Sequence, residues 1–307
     1  MKQKHALAIE DITGLGKCSL TVALPILSVA GLTCSVLPTA VLSTHPSGFT
    51  GYTYRDLTVD ILPMAEHWKT EGLSFDAVYS GFLGSCEQLE SVQRIFQLFG
   101  QKETICLVDP VMGDNGKLYQ MYTEDMVEGM RGLCRSATIL TPNLTEAAFL
   151  TGIPYQAECY SEEYIQSLVK GLAALGAPQI VLTGISFDET QIGAACYRAS
   201  EQSLQYVWAT KVPEYFHGTG DTFSAALLAG LLNGQNLETA AQTAAYFTSR
   251  CIQRTAEAQV PEREGLCFEK ELLWLGSRLQ NLNNDTDNYT KRIFCIVQGR
   301  EKRNCIA

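Results

Sequence analysis

Paired metal-ligand spacings are missing from this chain. Its four histidines, at 5, 45, 67 and 217, stand far apart, and its eleven cysteines include no C-x-x-C pair, which argues against a zinc site and against a redox dithiol. The cysteine count is odd and shows no even-spaced framework, so the thiols read as reduced, small buried residues of a cytoplasmic protein. Basic charge is scarce as well: 23 Lys+Arg against 33 Asp+Glu leave a net charge of −10, which speaks against nucleic acid or an anionic membrane as the main partner. Any phosphate-bearing ligand then has to be held by main-chain amides and a metal. The opening MKQKHALAIED lacks the apolar core of a signal peptide.

Between Ser19 and Ser43 no charged residue occurs across 25 positions, but Pro25, Gly31 and Pro38 interrupt the run. A membrane-spanning helix wants about 20 mostly apolar residues, so the stretch is expected to be a buried helix followed by a buried strand. Short apolar runs recur beyond it: HALAIED, CSVLPTAVLS, DAVYSGFLG, TICLVDP, ATILTPN and QIVLTG, each followed by a polar or glycine-rich turn and a helical pattern. That alternation predicts an α/β fold with a mostly parallel sheet covered on both faces. The runs IGAACYR and LQYVWAT read as an antiparallel pair, and no linker divides the chain, so one domain is expected over 1–280. Residues 281–307 differ in composition and are expected to form a loosely ordered extension.

Ligands of such sheets gather at the carboxyl ends of the strands. Polar residues fall there in order: Asp11 and Thr13, Ser43 to His45, Ser80 to Phe82, Asp109, Asn143 and Thr183. The stretch FHGTGDTFSAALLAGLLNG, 216–234, puts Gly218 and Gly220 around Thr219, then Asp221, ahead of an apolar stripe of Phe223, Ala226, Leu227, Gly230 and Leu231. A glycine turn at a helix start offers unpaired amides and partial positive charge to an anion. Asp221 would repel that anion, so its place makes sense if it takes a proton beside it. GLGKCS, 14–19, is no Walker A loop, since Asp11 and Cys18 occupy positions that need glycine and a hydroxyl. In VDPVMGDNGKLY, Asp109 and Asp114 suit Mg²⁺ or its phosphate-bound waters, although Asp114-Asn115-Gly116 also reads as a plain turn. In TPNLTEAAFLTG, Asn143 and Glu146 suit either a metal–water network or a helix cap.

Taken in order, SGFLGS, DPVMGD, TPNLTEA, VLTG and GTGD resemble the ribokinase superfamily, and within it the pyridoxal/pyridoxine/pyridoxamine kinases of vitamin B6 salvage. The resemblance implies a three-layer αβα ribokinase-like fold and ATP-dependent phosphorylation of a vitamer's 5′-hydroxymethyl group, with a homodimer as the usual state. By position it implies Asp221 as the base and the amides of Gly218, Thr219 and Gly220 as an anion hole. Asp109, Asp114, Asn143 and Glu146 would serve Mg²⁺ and the phosphates, the metal held through Asp109, Asp114 and Glu146 partly by water. Thr183 would touch ATP, and many members also use K⁺. This chain departs from the pattern at the expected vitamer contacts. Asp11 replaces a common serine, STHP keeps His45 but puts Pro46 where threonine is usual, and Phe82 replaces a tyrosine. Asp11 would then pair with a pyridine N–H or an amine, and Phe82 would stack on the ring; a purely structural role is the alternative for each, and for His45 as a satisfied loop histidine. Alternative readings are a hydroxymethylpyrimidine kinase and a non-catalytic vitamer-binding protein; a sugar kinase fits less well because 45–75 shows no clear sheet-forming lid.

Overall fold

The computed structural model describes residues 3–157 and 159–279; the extension expected over 281–307 lies outside them. Among the described residues eleven strands form: β1 (His5–Leu15), β2 (Thr33–Thr44), β3 (Tyr54–Asp56), β4 (Ala77–Ser80), β5 (Ile105–Val108), β6 (Gly113–Asp114), β7 (Lys117–Leu118), β8 (Ile139–Leu140), β9 (Gln179–Ile185), β10 (Gln191–Arg198) and β11 (Ser203–Thr210). Nine of them make one sheet in the order β3-β2-β1-β4-β5-β8-β9-β10-β11, and β6 pairs with β7 alone. The pairings from β2 through β9 are parallel, and β3, β10 and β11 are added antiparallel at the edges.

Helices α2 (Thr58–Thr70), α3 (Cys86–Phe99), α4 (Glu124–Cys134), α5 (Leu144–Thr151) and α6 (Glu162–Ala173) cover one face, and α1 (Leu20–Val29), α7 (Thr219–Leu232), α8 (Leu237–Glu257) and α9 (Leu272–Leu279) the other. The alternation of β1 explains the two cores: Leu7 and Ile9 face the first, Ala6 and Ala8 the second. Small residues on the second side let α7 come close to the sheet. It is buried from Thr222 to Gly230 on nearly every face, so the expected single stripe understates its burial. The charge-free stretch is α1 followed by β2, but neither is buried throughout: α1 buries Leu20, Val22, Ala23, Ile26 and Leu27 and exposes Leu24, and β2 exposes Val41. Among the described residues no helix is long and apolar enough to cross a membrane.

One feature differs from the sequence reading and another refines it. Within 45–75 a short strand, β3, adds to the sheet edge against Ala40–Leu42; its three residues are all exposed, so it leaves no apolar run to read. Asp114-Asn115-Gly116 is a turn, but one closing a two-residue hairpin, with Asn115 at φ 51 and Gly116 at φ 74, the left-handed pair that such a hairpin requires.

Candidate active site

Helix α7 begins where the glycines predict. Gly218 is its N-cap, at φ 81 and ψ 9, and the first amides of the helix have no intrahelical acceptor by geometry. The second glycine has a different reason. Gly220 lies inside the helix, and a Cβ there would point to within 3.8 Å of Asp109 Oδ2, so its missing side chain keeps the amide face open toward that acid. Asp221 follows in the first turn, its Oδ2 accepting the Ser19 N–H at 2.8 Å. Burial pushes its carboxyl up to about 6; the Ser19 bond pulls down and Asp11 pushes further up.

A cavity of about 420 Å³ opens beside this turn, lined by Asp109, Asp114, Asn143, Glu146 and Thr183 together with Gly218, Thr219, Gly220 and Asp221. Nine residues from four separate motifs thus converge. The Ser224 hydroxyl, 2.9 Å from both Asp109 Oδ2 and Thr141 Oγ1, has one proton to give and donates it to the carboxylate. Asn143 and Glu146 do form the helix cap: Asn143 Oδ1 accepts the Glu146 N–H at 2.9 Å, and Glu146 Oε2 accepts the Asn143 N–H at 2.9 Å. Glu146 Oε1 also accepts the Met112 N–H at 3.2 Å, and Asn143 Nδ2 donates to the Gly113 carbonyl at 3.0 Å, so the cap also fixes the loop that carries Asp114. Tyr215 donates to Asp114 Oδ2 at 3.0 Å. The Thr183 hydroxyl donates to the Pro142 carbonyl at 3.2 Å.

The lining holds five acids, Asp109, Asp114, Glu146, Glu214 and Asp221, and among the described residues neither a lysine nor an arginine. Burial, then the Asp221 charge, pushes Asp109 above its ordinary range; burial, then Asp109, does the same to Glu146. His217 is held below its ordinary range by burial and by His45, so it supplies no cation at neutral pH. Mutually repelling hard oxygen donors without a basic partner are the donor set of Mg²⁺. Among the described residues no three acidic, His or Cys side chains meet closely enough to hold a metal alone. Such an ion would keep waters and take phosphate oxygens.

Asp11, His45 and Phe82 are not part of this lining. The sequence reads Asp11 as a partner for a ligand N–H, whereas its Oδ1 and Oδ2 accept from the hydroxyls of Ser19, at 2.6 Å, and Thr13, at 2.8 Å. A register shift between Glu10 and Ile12 changes where β1 sends its side chains, which alternation alone does not foretell. His45 is 5% exposed; its Nε2 lies 2.8 Å from the Arg263 carbonyl and its ring meets Phe49 and His217. Phe82 is half-buried against Tyr122, edge to face.

The neighbouring Glu10 escapes the sequence reading altogether, since it looks like the last residue of an apolar strand. It is fully buried, and neither carboxyl oxygen has a hydrogen-bond partner among the described residues; the Tyr79 hydroxyl beside it has none either. Burial, then Asp221, Asp11 and Asp109, push it well above the ordinary value of 4.5. A group whose folded pKa is raised costs nothing below the unfolded value. It erodes stability as the pH climbs from that value toward the folded one. Glu10→Gln is therefore expected to match wild-type Tm near pH 4.5 and exceed it at pH 8, by thermal unfolding of the ligand-free protein; an equal Tm difference at both pH values would contradict this.

Known proteins resemble this chain in sequence and fold. A family model described as phosphomethylpyrimidine kinase matches residues 28–264. A Bacteroides thetaiotaomicron protein provisionally described as a phosphomethylpyrimidine kinase, in a crystal form with pyridoxal, is 35% identical with a TM-score of 0.84, covering 89% of this chain and 96% of its own. The pyridoxal kinase of Lactobacillus plantarum is 30% identical with a TM-score of 0.82, covering 92% and 99%. The hydroxymethylpyrimidine/phosphomethylpyrimidine kinase of Bacillus subtilis is 28% identical over 217 residues, 71% of this chain and 77% of that protein.

Proposed function

The chain belongs to the phosphomethylpyrimidine kinase family of the ribokinase superfamily, and on that premise we propose that it uses ATP to phosphorylate the 5′-hydroxymethyl group of a B6 vitamer. The observation that carries the reading is the placement of Asp221 in the first turn of α7, against the same cavity as Asp109 and the amides of that turn. Phosphoryl transfer asks for in-line positioning and charge neutralisation more than for covalent chemistry. Asp221 accepts the proton of the hydroxymethyl group. The amides of Gly218, Thr219 and Gly220 hold the moving phosphoryl, with the partial positive charge of the helix start behind them. Asp109, Asp114 and Glu146 would hold Mg²⁺, partly through water, and the ion would supply charge neutralisation at the phosphates. Thr183 contacts the nucleotide, whose base rests on apolar lining residues such as Ile192, Val212, Ala245 and Ile252.

On the acceptor side, Phe82 stacks on the heteroaromatic ring. His45 and Asp11 act through the loop and turn they hold, since the hydrogen bonds above already engage them. A B6 ring is favoured by the likeness to the protein crystallised with pyridoxal. The second reading, a hydroxymethylpyrimidine as acceptor, is favoured by the matching family and the Bacillus subtilis relative. Turnover of pyridoxal, pyridoxine, pyridoxamine and hydroxymethylpyrimidine with Mg²⁺-ATP separates the two. We expect kcat/KM for at least one vitamer to exceed that for the pyrimidine by about tenfold or more, the scale on which a pocket tells related rings apart. A preference for the pyrimidine transfers the assignment to the second reading, and no turnover of any of the four removes both.

A further inference from the structure

Ser19 breaks the rule for its position. As the N-cap of α1 it should have extended backbone and a side chain accepting an amide of its own helix. It has φ 50 and ψ −133, and its side chain makes no capping bond. The hydroxyl points instead to Asp11 Oδ1, 2.6 Å away, and Thr13 closes on the other oxygen of Asp11 at 2.8 Å. Non-glycine residues hold a left-handed conformation only where their surroundings over-determine it. The result of this one is specific: the Ser19 N–H points at Asp221 Oδ2, 2.8 Å away across 202 residues of sequence.

We propose that Asp11 and Ser19 form a positioning device for the phosphoryl transfer: Asp11 pins the Ser19 hydroxyl, the pinned residue holds its strained backbone, and its amide fixes one oxygen of Asp221, leaving the other for the acceptor alcohol. The inference rests on the reading of Asp221 as the base. Asp11 suits the task because it is 4% exposed, does not line the cavity and has both oxygens engaged by protein hydroxyls. The turn it holds is seated directly on the entry to α7: a Cβ on Gly218 would lie 2.2 Å from the Lys17 carbonyl oxygen. From its other side the turn is fixed by the Lys17 amide bonding the Glu264 carbonyl at 3.4 Å.

The device makes a prediction that a hydroxyl touching substrate would not. Glycine adopts positive φ freely and alanine does not, so Ser19→Gly keeps the amide in place while Ser19→Ala releases it. We expect Ser19→Ala and Asp11→Asn to lower kcat about 10- to 100-fold, the worth of a hydrogen bond to a charged group. KM for ATP and for the acceptor should be unchanged, and the loss should be the same for every acceptor the wild type accepts. Ser19→Gly should fall clearly between Ser19→Ala and wild type. If Ser19→Ala fails to fold, the comparison of Ser19→Gly with Asp11→Asn carries the test, with Ser19→Gly expected to be the faster. Equal rates for the glycine and alanine variants, wild-type kcat in all three, or an Asp11→Asn effect confined to KM for pyridoxamine would overturn the device. Asp221→Asn in the same assay separates the two levels: if it stays active, the base assignment falls and takes the device with it. If it is inactive while the Ser19 variants behave as wild type, only the device falls.

Discussion

Asp221→Asn is expected to lower kcat by about 10²–10⁴, the usual cost of removing a positioned general base, while fold and ATP affinity stay intact. The substitution is close to isosteric, and an asparagine oxygen can still accept the Ser19 N–H that Asp221 accepts at 2.8 Å. What disappears is the ionisable oxygen to which the proposed mechanism assigns the acceptor's proton. The fold has little reason to suffer, because Asp221 is itself one of the charges pushing Glu10 and Asp109 upward; Tm at pH 8 should be unchanged or slightly higher. Turnover with retained nucleotide affinity thus distinguishes a lost chemical step from a lost structure. A variant keeping more than about a tenth of the wild-type rate would contradict the assignment. The ordinary enzyme carries the matching pH signature. A base acts when ionised, and burial pushes Asp221 up to about 6, so kcat/KM should rise with pH through that region.

How far the sequence carried depends on what kind of information each feature needs. The six apolar runs became β1, β2, β4, β5, β8 and β9 because a strand buried on both faces has to be apolar along its length. The run pair IGAACYR and LQYVWAT became the antiparallel β10 and β11. β3 was illegible because its three exposed residues join the edge only through the length of β2. In the site, the residues on chain-local motifs came together as expected, since a glycine turn, a strand end and a helix cap each fix their own geometry. Residues whose meaning lies in through-space contacts did not show. Ser224 reaches Asp109 across 115 positions and Ser19 reaches Asp221 across 202, and a serine near a helix start is too ordinary to mark either. Asp11 was visible as an acid at the right place, but whether it faces ligand or protein depends on the register shift in β1 and on the dihedrals of Ser19.

The two glycines of the α7 entry should respond to alanine in opposite ways. At Gly218 a Cβ would sit 2.2 Å from the Lys17 carbonyl oxygen, with φ at 81. Both partners are backbone, so relief requires parting the 17–19 turn from the helix, and with it the Ser19 amide from Asp221. Left-handed strain and overpacking together cost roughly 2–5 kcal/mol, enough for a drop in Tm of several degrees in a chain of this size, and turnover falls with it. At Gly220 the nearest atom to a new Cβ is Asp109 Oδ2 at 3.8 Å, an ordinary contact, and alanine at a compatible φ restricts the unfolded chain more than glycine, worth roughly 0.4–1 kcal/mol. Gly220→Ala should therefore keep or raise Tm. Its methyl group, however, points toward Asp109, the side of the amides against which the proposed mechanism passes the phosphoryl, so kcat/KM for ATP should fall by about tenfold or more, the equivalent of about 1.4 kcal/mol of lost transition-state contact. Thermal unfolding and steady-state kinetics on the two variants read both effects. Equal losses of Tm would show that the glycines serve the fold alike, and a Gly220→Ala enzyme turning over like wild type would place the moving phosphate somewhere other than against the start of α7.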